Sequence, residues 1–190
     1  MSDKVTALAG ADFDGTISVR DGGLQGMITL RGDFDSTDLR NAATGVSGVD
    51  FPGQNEVRTV GDRGLAWMSP DELLVMVPHG GTAEALTSIG ATMGEAHHLA
   101  VDVSDARAVF HLEGQGETLR EVLAKLTPAD MRASALPVGR IRRTRLAQTA
   151  AAIWFTDENT ATLICFRSVA VYVFSLLKQS AAPGSEVGYF

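Results

Sequence analysis

Residues 101–126 have the sequence VDVSDARAVFHLEGQGETLREVLAKL, in which a strand pattern is followed by a helix pattern. In the first half, Ala108, Phe110 and Leu112 occupy alternate positions, and side chains two residues apart lie on the same face of a strand. This alternation predicts a β-strand over residues 107–113, followed by a glycine-containing turn.

The second half of this stretch predicts an amphipathic helix. Its apolar side chains recur at intervals of three and four residues, which places them on one helix face: Leu119, Val122, Leu123 and Leu126. Thr118 and Glu121 match the capping-box pattern of a helix start, and Pro128 predicts the end of the helix. Glu121 also stands four residues before Lys125, so we expect an ion pair on the solvent-exposed side.

A weaker copy of this stretch occurs earlier in the chain. The segment MITLRG, which begins at Met27, resembles VFHLEG, which begins at Val109, a shift of 82 positions. Two Asp-Glu turns, at Asp71 and Asp157, are related by a similar shift of 86 positions. Periods of this length mark duplicated architecture, although convergence also produces single weak matches. We therefore predict an α+β protein with two β-α-β-β-α-like halves packed together.

The remaining patterns divide the chain into four parts. These are an N-terminal extension (1–24), a first half (25–96), a second half (97–180) and a C-terminal tail (181–190). Besides the elements above, strands are predicted over 57–60, 65–68, 73–77, 138–148, 150–155 and 161–166. Helices are predicted over 37–44, ended by Gly45, and over 82–93 and 168–177. The last of these is expected to be largely buried, and its Val and Tyr content makes a strand the alternative.

The composition is that of a globular protein that can bury a substantial core. Of the 190 residues, 45% are hydrophobic and 21% are charged, and the net charge is −7. The negative charge argues against duplex nucleic acid and anionic membranes as partners. Cys165 is the single cysteine, and the sequence contains neither a signal-peptide pattern nor an apolar run of the roughly 20 residues that span a bilayer. We therefore expect a soluble, cytoplasmic protein.

The sharpest short motif is DFDGT, which contains Asp12 and Asp14 and matches the DxDGT of haloacid-dehalogenase-type phosphatases. In such an enzyme Asp12 would attack phosphorus, Asp14 would transfer the proton, and Mg²⁺ would offset the phosphate charge. The context favours a surface turn instead. The segment before Asp12 is VTALAGA rather than a strongly apolar strand. That family also has a phosphate-binding lysine before a late acidic pair, and no lysine lies between Thr16 and the candidate late acids Asp102 and Asp105.

The histidines and the cysteine do not form a chemical site. His97 and His98 are adjacent, and neighbours on an extended chain point in opposite directions, so they make a poor metal chelate. His111 falls on the outward face of the predicted strand 107–113. Cys165 lies within an apolar run, which predicts a small core residue rather than a nucleophile. We therefore predict no catalytic, cofactor or metal site in this chain.

The concentrated positive charge in this acidic chain is the arginine series, consisting of Arg140, Arg142, Arg143 and Arg145. Guanidinium groups bind carboxylates and phosphates well, so the series is a candidate for docking onto an acidic protein surface or an anionic ligand. An edge strand that uses charge against aggregation explains it equally well. Tyr189 and Phe190, at the aromatic end of the tail, are further candidates for partner docking. Arg167 and Ser168 are expected to stabilise the start of the last helix.

Three segments carry a resemblance to a known family: DVSDARAVFHLEGQGETLREVLAKLTPADM, GRIRRTRLAQTAAAIWF and LICFRSVAVYVFSLL. Together with GMITLRGD and WMSPDELLV, their order resembles that of the gamma subunits of heterotetrameric sarcosine oxidase. More distantly, the chain is similar to the folate-binding fold of the glycine-cleavage aminomethyltransferase, or T-protein. The likeness extends over most of the chain and leaves out its two ends.

This resemblance implies a non-catalytic subunit of a complex that oxidises sarcosine to glycine, forming hydrogen peroxide and either formaldehyde or methylene-tetrahydrofolate. The family places FAD, FMN, NAD, tetrahydrofolate and zinc in the partner subunits alpha, beta and delta, and the gamma subunit packs chiefly against alpha. T-protein relatives carry a functional aspartate near the turn that corresponds to residues 148–152, where this chain has QTAAA. The alternatives are the Mg²⁺-dependent phosphatase and a free-standing folate-binding relative of T-protein.

Overall fold

The computed structural model describes residues 5–190 and contains eleven β-strands and four α-helices within that range. The strands are β1 (Asp12–Asp14), β2 (Ser18–Asp21), β3 (Gln25–Arg31), β4 (Val57–Val60), β5 (Arg63–Ser69), β6 (Glu72–Pro78), β7 (Leu99–Asp102), β8 (Arg107–Glu113), β9 (Ile141–Leu146), β10 (Thr149–Asp157) and β11 (Thr160–Phe166). The helices are α1 (Thr37–Ser47), α2 (Thr82–Met93), α3 (Gly116–Ala124) and α4 (Ala170–Ser180). Residue contacts group the described chain into a first unit, residues 25–105, and a second unit, residues 5–24 with 106–190.

The first unit is a five-stranded antiparallel sheet in the order β4-β5-β6-β3-β7, with α1 and α2 packed on one face. β6 is the central strand, as its continuous apolar sequence predicts. Leu73, Val75 and Val77 of β6 meet the buried side chains of both helices. The predicted helix 82–93 is confirmed by α2.

α1 continues three residues beyond its predicted end. The side chain of Ser36 caps its start by accepting a hydrogen bond from the Leu39 N–H at 3.4 Å. At the other end Gly48, with φ of 70°, donates its N–H to the Thr44 carbonyl at 2.8 Å. The predicted helix end at Gly45 is therefore wrong. Burial of Val46 offsets the modest cost of a glycine inside the helix.

The second unit is a six-stranded antiparallel sheet in the order β1-β2-β8-β11-β10-β9. β8 has the predicted bounds, and Phe110 and Leu112 on its inner face contribute to the core with the apolar faces of α3 and α4. The buried apolar side chains of these two helices are Leu119, Val122, Leu123, Ala170, Val173 and Leu177. α4 confirms the predicted last helix and excludes its strand alternative, although the outer face of its first turn is exposed rather than buried.

The two units repeat one topology. Each has a β-α-β-β-β-α order, one strand more than predicted, and the sheet order β4-β5-β6-β3-β7 corresponds to β9-β10-β11-β8-β2. In the sheet interiors Ile28 pairs with Val75 and Phe110 pairs with Leu163, so the predicted shift of 82 positions between β3 and β8 matches the register. The two Asp-Glu turns are not equivalent. Ser69 pairs with Glu72 where Asp157 pairs with Thr160, a shift of 88 positions rather than 86.

In each repeated sheet, the fifth strand comes from a part of the chain that was predicted to lie outside the corresponding half. β7 immediately precedes β8 in sequence but pairs with β3 of the first unit. β2 immediately precedes β3 but pairs with β8 of the second unit. Both pairings have the same register, because Ile28 faces Asp102 as Phe110 faces Asp21.

This arrangement corrects two predicted boundaries. Residues 1–24 were predicted as an extension, yet within the described residues 5–24 Ile17 and Val19 belong to the core of the second unit. The halves were predicted to meet between residues 96 and 97, whereas the boundary falls between residues 105 and 106. Pairing of β7 with β3 is the physical reason, since the short strand has too little periodicity to reveal its partner.

Candidate functional site

The richest set of polar contacts surrounds α3, where Glu121 binds the last residues of the chain. Glu121 was predicted to face solvent and to cap its own helix, and both predictions are wrong. Its side chain is buried, with the residue 8% exposed. One carboxylate oxygen accepts the Val187 N–H at 2.7 Å, and the other accepts the N–H groups of Gly188 at 2.7 Å and Tyr189 at 3.1 Å. Hydrogen bonds from these amides, of which the Val187 bond has the largest effect, lower the pKa of Glu121 below its ordinary value.

Lys125 holds the same segment one helical turn later. Its ammonium group donates to the carbonyl oxygens of Ser180 at 2.8 Å and Ser185 at 3.0 Å, and to the Ser185 hydroxyl at 3.3 Å. The predicted ion pair with Glu121 is present at 3.7 Å. We call residues 185–190, together with Glu121 and Lys125, the tail clasp.

The two aromatic docking candidates, Tyr189 and Phe190, differ in how accessible their side chains are within the tail clasp. Phe190 is partly buried and packs against the core of the second unit, so it contributes to this unit's own packing. Tyr189 is 73% exposed, and its ring meets that of Phe190 edge-on with the centroids 5.1 Å apart. Of the two, Tyr189 is therefore the side chain that remains accessible to a partner.

Arg120 holds the loop that follows α3. It is only 6% exposed, and its Nη1 donates to the carbonyl oxygens of Met131 at 2.7 Å and Leu136 at 3.1 Å. The guanidinium carbon also lies 3.9 Å from the centroid of the Phe155 ring. Burial lowers the pKa of Arg120, so holding this charge carries a desolvation cost.

Two adjoining cavities, of about 500 and 750 Å³, lie beside Arg120 and the tail clasp. Arg132 and Phe190 line both of them. In the smaller cavity Arg132 is hydrogen-bonded to Asp130, which lowers the pKa of Asp130 to about 2. The lining thus offers paired charges and apolar surface but, among the residues described, no nucleophile hydrogen-bonded to a base. Such a recess suits packing better than bond-breaking chemistry.

The arginine series lies on and beside β9, an edge strand of the second unit. Strand alternation splits the series between two faces. Arg142 is partly buried on the helix-covered face, where its Nη2 donates to the Ala135 carbonyl at 3.3 Å, and Arg140 before the strand is also partly buried. Arg143 and Arg145 are exposed on the opposite face. Any acidic partner surface would therefore meet Arg143 and Arg145 rather than all four residues.

The phosphatase motif lies on β1, a three-residue edge strand paired antiparallel with β2. Asp12 and Asp14 are exposed and both approach Arg20, at 3.6 and 2.6 Å. Hydrogen bonds from Ser18 and then Arg20 lower the pKa of Asp14. The two carboxylates thus make ion pairs on the surface, as the surface prediction requires, although they lie on an edge strand rather than in a turn.

The structure places Cys165 in the core and shows the surroundings of two of the histidines. Cys165 is buried in the core, and burial raises its pKa to about 11, so it is a thiol at neutral pH. His111 is exposed on β8, and a ring nitrogen of His98 is 2.8 Å from the Ala96 carbonyl oxygen. Within residues 5–190 no three His, Cys, Asp or Glu side chains are grouped to hold a metal ion. No helix in that range has the length and apolar character to cross a membrane.

The start of α4 uses different contacts from those predicted. The Arg167 side chain donates to the carbonyl oxygen of Val5, a residue distant in sequence, at 2.7 Å. Ser168 lies in a short 3-10 turn rather than at the helix cap, and its side chain makes no capping bond.

Comparison with known proteins identifies the family. Residues 31–183 match the model of the sarcosine oxidase, gamma subunit family. The chain is 30% identical over 156 residues to a sarcosine oxidase subunit gamma from Corynebacterium sp. (strain P-1), covering 81% of this chain and 74% of that protein. The chain belongs to the sarcosine oxidase gamma subunit family.

Solved structures show the same fold. The heterotetrameric sarcosine oxidase from Corynebacterium sp. U-96 contains a chain that matches with a TM-score of 0.82 and 24% identity, with 94% of each chain covered. The glycine cleavage system aminomethyltransferase T from Bartonella henselae matches with a TM-score of 0.63 and 11% identity, over 96% of this chain and 59% of that one. The predicted T-protein-like fold is therefore confirmed.

At the turn where the T-protein resemblance implies an aspartate, this chain has no carboxylate. That turn follows Ala147, which adopts a φ of 48° and donates its N–H to the Leu126 carbonyl at 2.7 Å. β10 then begins with Thr149, and Ala151 and Ala152 are buried. Alanine methyl groups fill positions at which a carboxylate would require buried partners.

Sequence reasoning missed Arg120 and the tail clasp. Arg120 follows Leu119 in α3, but a charged side chain beside the apolar face is ordinarily exposed, so the sequence carried no signal of its burial. The Glu121 contact carried no sequence signal, because its partners are backbone amides more than 60 positions away.

Proposed function

We propose that this chain is a non-catalytic gamma subunit of a heterotetrameric sarcosine oxidase. The observation that carries the proposal is the family match across residues 31–183, supported by the shared fold. The complex would convert sarcosine, oxygen and water to glycine, hydrogen peroxide and formaldehyde. With tetrahydrofolate present, the methyl carbon would leave as methylene-tetrahydrofolate.

The non-catalytic role is supported by the use that the chain makes of its reactive groups. Glu121, Lys125 and Arg120 bind the chain's own backbone, and Asp12 and Asp14 pair with Arg20. Groups satisfied in this way are held in structural contacts rather than presented to a substrate.

The catalytic components would then belong to the partner subunits. We propose that alpha, beta and delta subunits carry FAD, FMN, NAD, tetrahydrofolate and zinc, that this chain binds chiefly to alpha, and that the complex works in the cytoplasm. A single, buried cysteine is compatible with a reducing compartment.

Co-expression of the tagged full chain with the products of neighbouring genes tests this function. Affinity purification should yield a yellow, multi-subunit complex with the visible absorbance of oxidised flavin, and it should form hydrogen peroxide from sarcosine. The tagged chain alone should be colourless and inactive. A chain that purifies alone from the co-expressing cells would refute the proposal.

A further inference from the structure

The first turn of α4 exposes apolar side chains that a buried helix would cover. Val171 is 64% exposed, and Tyr172 is exposed beside it. Phe166, at the end of β11 and just before the helix, is exposed as well. Val5 joins this surface because its carbonyl oxygen accepts a hydrogen bond from Arg167. These residues and Arg107, whose guanidinium carbon lies 4.4 Å from the Phe166 ring centroid, form what we call the α4 patch.

The chemistry of the α4 patch is that of an interface core. Aromatic residues and arginine are enriched in the buried centres of protein interfaces, whereas Asp, Glu and Lys are depleted there. The α4 patch combines Phe166 and Tyr172 with two arginines. Exposed apolar side chains gathered with aromatic residues mark a binding surface more strongly than isolated ones do.

Charge indicates what kind of surface would cover the α4 patch. The chain has 23 acidic residues, yet residues 159–185 contain Arg167 and Lys178 and no Asp or Glu. The Asp21 carboxylate, which lies beside residues 6–10, is already occupied by the Thr6 hydroxyl and the Gly10 amide. Within the described residues Arg167 donates one hydrogen bond, to the Val5 carbonyl, whereas a guanidinium group has five N–H donors. The α4 patch thus combines an apolar centre with positive charge in an acidic protein.

We infer that the α4 patch binds another subunit of the oxidase through an apolar surface bordered by carboxylates. The inference rests on the proposed function and adds the contact surface and its chemistry. Apolar burial supplies affinity at the centre, and Arg167 favours an acidic rim on the partner.

The test uses Val171→Glu and Val171→Lys, with Val60→Glu as a matched control. Val60 is an exposed valine of the first unit, at 56% exposure. Position 171 is the second residue of α4, where a negative charge favours the helix dipole and a positive one opposes it. Folding therefore favours Glu over Lys, whereas an acidic partner favours Lys over Glu. A weaker complex for Val171→Glu cannot then be attributed to a weakened helix.

Each full-length variant is co-expressed with differently tagged wild-type chain and the partner subunits, and mass spectrometry measures both forms in the purified complex. We expect Val171→Glu to be about tenfold or more under-represented, Val171→Lys to be closer to wild type, and Val60→Glu to equal wild type. Melting curves of the isolated variants serve to establish that they are folded.

Four results would overturn the inference. Equal incorporation of Val171→Glu would exclude the α4 patch as the contact while leaving the proposed function intact. Poorer incorporation of Val171→Lys than of Val171→Glu would exclude an acidic partner. Dimers of the isolated chain that Val171→Glu dissociates would assign the α4 patch to a second copy. If wild type itself fails to join a complex, the proposed function fails together with the inference.

Discussion

Replacing Arg120 with methionine should destabilise the loop beside α3 while preserving side-chain volume. The Arg120 guanidinium donates to the Met131 and Leu136 carbonyl oxygens and lies against the Phe155 ring. Methionine can maintain much of the apolar contact but leaves both carbonyl oxygens without their donor.

The expected loss follows from opposing contributions. Hydrogen bonds from a charged donor contribute about 1.5–3 kcal/mol each, and a desolvated cation–π contact contributes about 1–2 kcal/mol. Methionine recovers the several kcal/mol that desolvating one buried charge costs. For Arg120→Met we therefore expect a net loss of about 2–4 kcal/mol in the free energy of unfolding. In a domain of this size that corresponds to a melting temperature lower by roughly 4–16 °C.

Thermal denaturation and amide hydrogen exchange measure this change globally and in the 127–140 loop. Arg120→Lys should recover less than half of the loss, because one ammonium group cannot both fork to two carbonyl oxygens and stack on a ring. Arg132→Met is the matched control, since the Arg132 side chain is 64% exposed and should change the melting temperature little. Stability of Arg120→Met equal to wild type, or full recovery by lysine, would refute this account of Arg120.

Three further predictions concern other contacts. Glu121→Gln should accelerate hydrogen exchange at residues 187–189; because the wild-type carboxylate has a lowered pKa, the contact is retained at neutral pH and lost as the pH falls through that value. Unchanged exchange would contradict this. Cys165 should resist iodoacetamide at pH 8 until the chain is denatured, and rapid labelling of the native chain would be the contrary result. Arg143→Glu should weaken subunit assembly more than Arg142→Glu if β9 is an acidic-partner contact, and equal assembly of both variants with wild type would exclude that role.

The sequence was most informative where one local period coincided with one buried face. β8, α2 and β4 have the predicted bounds, because their side-chain spacing and burial agree. Helix ends were less predictable. Gly45 resembles a helix terminator, but burial of Val46 lets α1 continue beyond it. Thr118 resembles an N-cap, but the N-cap of α3 is Gln115.

Contacts distant in sequence account for most of what was missed. The pairing of β2 with β8 depends on register across the sheet, and a four-residue strand carries too little pattern to specify it. Among the site residues, Cys165 could be assigned from its apolar surroundings alone. The environments of Glu121 and Arg120 could not, since backbone groups from remote segments create them.

The order in which the chain is synthesised gives the exchanged strands a further consequence. The first unit is inserted between β2 and β8, so β1 and β2 leave the ribosome long before their partner strand exists. Residues 25–105 can complete their sheet during translation, whereas β2 can pair with β8 only after all of these residues have been synthesised. Removal of the first 24 residues would therefore leave the first unit, which follows them directly in sequence, intact. It would remove β1 and β2 from the sheet of the second unit. Such a truncated chain would emerge with an unpaired β8 edge, which makes it a substrate for chaperones and proteases.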